Sequence, residues 1–132
     1  MLALRNGRII GYTYGYTSHE GQWTTDQIIC ALDPEARAEW IEPRPFEVVT
    51  IAVDPGFQRQ GIGTRLLTRL LAGLPHSRAI LWTEAERRAA LAFYASQGWR
   101  AIVSDVEIES RRAVVLGKPL RLSRLNGFLD GE

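Results

Sequence analysis

The feature that most constrains this chain is an apolar strand that runs into a glycine-bearing turn and then a helix. Phe46 to Val53 carries Val48, Val49, Ile51 and Val53 with little polar alternation. Such a run reads as a central strand buried on both faces. Asp54-Pro55-Gly56 stops it. Gly61 to Leu74 then reads as a helix with Ile62, Leu66, Leu70 and Leu74 on one stripe, ended by Gly73 and Pro75. A turn that feeds a helix N-terminus leaves free backbone N–H groups pointing outward, and the helix dipole adds partial positive charge. That combination binds phosphate. Gly61 and Gly63 lack a Cβ and allow close backbone approach, while Arg59 and Arg65 add charge.

Two nucleotide readings of this turn fail at specific residues. Gly56 and Gly61 have the spacing that begins a P-loop, but Ile62-Gly63 stands where Lys-Ser or Lys-Thr is required. A dinucleotide fingerprint needs a third glycine three residues after Gly63, and Leu66 is there instead.

The rest of the chain frames that turn. Leu2 to Leu4 and Ile9 to Tyr16 are extended runs joined by Asn6-Gly7, the dipeptide of a tight hairpin turn. Tyr12, Tyr14 and Tyr16 share one strand face, a stripe whose default role is packing. Residues 17–45 form a long connection, either a functional lid or a cover over a sheet edge. Within it Thr24-Thr25 is expected to cap a helix through Ile28, Ile29 and Leu32. Asp33-Pro34-Glu35 opens a second helix to about Trp40, after which Pro43 and Pro45 block further helix. Trp23 and Trp40 flank these helices; core packing is the default expectation and an acceptor-site wall the alternative. Ala79 to Thr83 reads as the next strand. Thr83 and Glu86 have capping-box spacing for a helix to about Gln97, which Gly98 stops. Trp99 to Ile108 and Arg112 to Leu116 read as a closing antiparallel pair. The order predicts an α/β fold of the α+β type, a sheet of about six strands with helices on its faces. Residues 1–120 are expected to form one domain with an insertion at 17–45, followed by a polar tail at 121–132.

Composition narrows the function classes. With 132 residues the chain suits one domain with a real core. Lys and Arg number 16 against 15 Asp and Glu, so the balance argues against nucleic acid or an anionic membrane as partner. Cys30 is the one cysteine, which excludes an intrachain disulfide framework and a cysteine-cluster metal site, and fits a cytoplasmic setting. No neighbouring basic group activates Cys30 as a nucleophile. His19 and His76 lack partners at metal-ligand spacing, so no metal is expected.

Gln58-Arg59-Gln60-Gly61-Ile62-Gly63 resembles the acyl-CoA signature of the GNAT superfamily of N-acetyltransferases: Gln or Arg, two residues, Gly, one residue, Gly or Ala. Ile51-Ala52-Val53-Asp54-Pro55 resembles the family's strand-to-loop junction. Ala90 to Trp99 is similar to its second signature, a helix with Ala, then Tyr94, then Gly98 and an aromatic residue. Where the family usually has Asn, this chain has Arg87. The resemblance covers about residues 1–117 and implies a GNAT-like mixed sheet, here without the usual N-terminal strand and helices. By this resemblance the acceptor site is expected to be reduced and open, or walled by the 17–45 insertion or a second subunit in a homodimer, or the chain is a fragment of a longer protein.

By the same resemblance acetyl-CoA is the cosubstrate. Gln58, Arg59, Gln60, Gly61, Ile62, Gly63 and Thr64 would surround its diphosphate. Ile51, Ala52 and Val53 would run beside its pantetheine arm, a bulge parting this strand from Ala79 to Thr83, and Arg87 and Tyr94 would complete the binding set. Direct transfer to an amine needs a base, because an alkyl amine is protonated at neutral pH. Glu47 is the candidate base, on a mostly apolar strand that raises a carboxyl's pKa; the bland alternative is a solvated strand-entry glutamate. Tyr94 is the candidate acid for the departing thiolate. The Val53 N–H is the candidate donor to the thioester oxygen. The expected function is acetyl transfer to a primary amine on a small molecule or protein; the alternative is a non-catalytic acyl-CoA-binding module.

Overall fold

The computed structural model describes residues 1–120. The expected polar tail at 121–132 lies outside them. Six strands form one mixed sheet in the order β1-β2-β3-β4-β6-β5. The chain divides into two compact units, Met1–Tyr16 with Val48–Pro75, and Thr17–Glu47 with His76–Leu120.

The first unit opens with the expected hairpin. β1 (Leu2–Arg5) pairs antiparallel with β2 (Arg8–Thr17), and the turn residues Asn6 and Gly7 both take positive φ, 53° and 79°. The register shifts between Ala3 and Leu4, since Ala3 faces Gly11 while Leu4 faces Ile9. The extra residue, Ile10, turns inward and is buried. It meets Ile62 and Leu66 of α3 (Ile62–Leu71), with Ala3, Ile51, Val53 and Phe57 packed around them. Gly11 lets the helix approach: a Cβ there would lie 3.2 Å from Leu66 Cδ1 and 3.0 Å from the Ala52 carbonyl. The helix ends at Leu71, short of the expected Leu74, and Gly73 at φ 75° follows. Leu67, outside the expected stripe, is also buried. The tyrosine stripe departs from its default: Tyr12, Tyr14 and Tyr16 are exposed, as are Leu2, Leu4 and Ile9.

The strand ahead of the turn, β3 (Phe46–Val53), is central in the sheet order, but only Phe46, Glu47 and Val48 are buried. Val49 is exposed and the remainder half-buried, which corrects the expectation of burial on both faces along its length.

In the second unit Ile28, Leu32, Trp40, Ile80, Ile108, Ala113 and Val115 form the core. Glu47 and Phe46 begin β3 and pair in parallel with Ile80 and Ala79 of β4 (Arg78–Glu84). β6 (Arg111–Pro119) lies antiparallel between β4 and β5 (Arg100–Ile108). α2 (Pro34–Trp40) starts as the sequence demands, with the Asp33 carboxylate accepting the Ala36 N–H at 2.8 Å. Two other caps are corrected. α1 (Trp23–Ala31) begins after Gln22, so Thr24 and Thr25 lie inside it. Thr83 stays in β4, opposite Val114, and α4 (Arg88–Ser96) begins after Arg87 with no side-chain cap. Trp40 is buried as expected, while Trp23 is 62% exposed.

Candidate functional site

In the first unit, Asp54 closes the strand and shapes the turn. Its Oδ1 accepts the Gly56 N–H at 2.9 Å, and its Oδ2 pairs with Arg8 at 3.1 Å. A single 3-10 turn, Pro55–Phe57, leads to Gln58, whose side-chain nitrogen donates to the Val53 carbonyl at 3.0 Å. That Gln58 nitrogen is therefore spent on holding the strand end to the turn. Arg59 and Gly61 follow at φ 64° and 79°. Gly61 caps α3 without a side chain, and the first intrahelical bond runs from the Arg65 N–H to the Gly61 carbonyl at 3.1 Å. The N–H groups of Ile62, Gly63 and Thr64 precede that bond and are the orphan donors of the helix. They suit a diphosphate, because the dipole and Arg59 favour an anion there.

Val53 itself is oriented by its neighbour. The Asp54 N–H donates to the Ile10 carbonyl of β2 at 2.7 Å. In an extended strand adjacent N–H groups point to opposite sides, so the Val53 N–H points away from β2.

The second unit holds Glu47, Arg87 and Tyr94. Glu47 is 2% exposed, which removes the solvated alternative. Its Oε1 accepts the Ser18 and Thr25 hydroxyls, each at 3.1 Å. Burial raises its pKa, and the Thr25 and Ser18 hydrogen bonds oppose that rise. Sequence reasoning missed both hydroxyls. Thr25 reads locally as a cap, and nothing local ties Ser18 to a strand 29 residues on.

Tyr94 is buried on α4, edge-on to Phe93 and to Trp99 at centroid distances of 5.3 and 6.0 Å. The Gly98 turn folds Trp99 back, its N–H donating to the Tyr94 carbonyl at 3.0 Å. No described residue hydrogen-bonds the Tyr94 hydroxyl. Burial raises its pKa, and the charge of Arg87 pulls it partly back. Arg87, the departure from the family pattern, thus acts on Tyr94.

His76 is half-buried, its Nε2 against the Thr17 hydroxyl at 2.8 Å and its ring edge-on to Phe46. His19 pairs through Nδ1 with Arg44 at 2.6 Å. Among the described residues no group of three or more His, Cys, Asp or Glu is placed to hold a metal ion. No helix among them is long and apolar enough to cross a membrane. Cys30 is exposed on α1.

A mixed six-stranded sheet, with one strand running through a glycine turn into an uncapped helix, is the frame in which the Gln58 to Gly63 signature sits. Residues 1–99 match the Acetyltransferase (GNAT) family, and the chain belongs to that family. A GCN5-like protein acetyltransferase of Mycobacterium tuberculosis is 28% identical over 128 residues, 90% of this chain and 62% of that protein. The N-alpha-acetyltransferase RimI of the same organism is 42% identical over 60 residues, 46% of this chain and 38% of that protein. This chain therefore spans less than two thirds of either relative. Among solved structures, Naa20 of Chaetomium thermophilum in complex with a bisubstrate analogue superposes with a TM-score of 0.65 at 22% identity, covering 90% of this chain and 64% of that one.

Proposed function

We propose that the chain transfers an acetyl group from acetyl-CoA directly to an amine. The observation that carries this reading is the uncapped N-terminus of α3 behind Arg59 and Gly61 in the left-handed region. It sits on the family's own Gln58 to Gly63 turn, so the orphan N–H groups of Ile62, Gly63 and Thr64 bind the diphosphate. Arg59 and Gln60 flank it, and the backbone of Ile51, Ala52 and Val53 follows the pantetheine arm.

Acetyl-CoA supplies an already activated thioester. Glu47 takes one proton from the ammonium, the freed nitrogen forms the C–N bond as the C–S bond breaks, and the second proton on that nitrogen passes to solvent. The Val53 N–H donates to the carbonyl oxygen as negative charge develops on it. Tyr94 gives its proton to the thiolate, and Arg87 stabilises the phenolate left behind. One relative is named a protein acetyltransferase and the other an N-alpha-acetyltransferase, which puts a polypeptide amine first among acceptors.

Two measurements test the reading. Calorimetry of the folded chain with CoA should show binding. Release of the CoA thiol across a panel of peptides and small amines, with mass spectrometry of the products, should identify the acceptor. Folded protein without affinity for CoA overturns the reading; affinity without transfer to any amine leaves an acyl-CoA-binding module.

A further inference from the structure

We propose that Ser18 and Thr25 are positioning residues that together hold Oε1 of Glu47, leaving Oε2 as the oxygen that takes the amine proton. This rests on the reading of Glu47 as the base.

Both hydroxyls converge on one oxygen, at 3.1 Å each, and no described residue bonds the other. Each contact lies just beyond the usual O–H···O range of about 2.5–3.0 Å, so the carboxyl is held by the pair of them together. Ser18 and Thr25 are each 1% exposed, so water does not replace a lost hydroxyl without rearrangement. Ser18 is itself fixed, its N–H donating to the Pro45 carbonyl at 2.9 Å.

Thr25 has one proton and two acceptors in reach, Oε1 of Glu47 and Oε1 of Gln22, both at 3.1 Å. An ionised carboxylate is the stronger acceptor, so the Thr25 proton turns to Glu47 when Glu47 is charged and to Gln22 when it is not. Gln22 keeps a second donor in either state, the His19 N–H at 2.9 Å.

Among the described residues no cation is seen to do this work instead. Of the charged and titratable groups on the surrounding segments, Arg44 pairs with His19, His76 with Thr17, Asp26 accepts the Gly21 N–H, and Glu20 is exposed. Burial and the two hydroxyls are the influences that act on Glu47.

The test uses the full chain with Ser18→Ala, Thr25→Val, their combination, and Thr25→Ser. One readout is the pH profile of kcat/KM. The other is the 13C shift of the Glu47 carboxyl against pH, assigned by its absence in Glu47→Gln. The combined variant should lose roughly tenfold in kcat/KM near neutral pH. Its acid limb and its carboxyl titration should both move to higher pH, and Thr25→Ser should bring Thr25's share of both back. A packing role alone would lower the melting temperature and leave both curves in place. If Glu47→Gln is inactive yet the hydroxyl variants move neither curve, the positioning role is overturned and the base stands. If the carboxyl titration moves while Glu47→Gln turns over normally, the base reading falls, and the role assigned to Oε2 with it.

Discussion

Burying the Glu47 carboxyl penalises its charged form, and that has a sign that can be measured. A folded-state pKa above the unfolded one means that the native state binds the proton more tightly. The stabilisation is complete below the unfolded pKa and is lost as pH rises through the folded one. Glu47→Gln keeps an acceptor for Ser18 and Thr25 and removes the buried charge. It should therefore raise the melting temperature at neutral pH while abolishing turnover, with the gain shrinking as the pH is lowered. A variant that is less stable than the parent at neutral pH would contradict this. For Tyr94, replacement by Phe keeps the ring against Phe93 and Trp99 and deletes only the hydroxyl. A fall in kcat of about a hundredfold with unchanged affinity for CoA is expected, read by steady-state kinetics and calorimetry. At this scale the sequence offers Glu47 and Tyr94 as candidates by residue type, but their surroundings were not legible in it. Pro45 before Glu47 reads as a strand end near solvent, and only the return of residues 17–25 over that end buries the carboxyl.

Elements whose ends are set by short-range chemistry were readable: the Asn6-Gly7 turn, the Asp33 cap and the Gly98 stop. Elements set by distant partners were not. Thr83 and Glu86 have the spacing of a capping box, yet the β4–β6 ladder claims Thr83 and Glu84 through Val114 and Ala113. Thr25 has the chemistry of a cap, yet it faces Glu47 from inside the helix. Gly117 is a further long-range constraint. A Cβ there would lie 2.5 Å from Trp40 and 2.6 Å from Ile102 Cδ1. Gly117→Ala should cost about 1–3 kcal/mol and lower the melting temperature by several degrees in a thermal scan. An unchanged transition would mean that the Trp40 ring moves aside freely.

For the molecule as a whole, the fold class could be read because one contiguous segment, Gln58 to Gly63, carries the family signature. The division into two compact units could not, since β3 contributes to each and no linker marks the boundary. Nor could the exposed hairpin face, because an alternating strand reads the same whether or not anything covers it. That face combines with a formal net charge of only +1 and a pI of about 7.9. Molecules with little net charge and exposed apolar strands repel one another weakly. Light scattering against pH should show association strongest near pH 8 and weaker as the solution is made more acidic; a flat profile would argue that the hairpin face is inert.

Cys30 lies exposed on α1 and is the only sulfhydryl in the chain. Disulfide dyes that register liberated coenzyme A will register it too. Every reaction trace should then begin with one stoichiometric equivalent of colour per polypeptide, before a single turnover. Pre-blocking with an alkylating agent removes that offset, and it also places a tag five residues along the helix from Thr25.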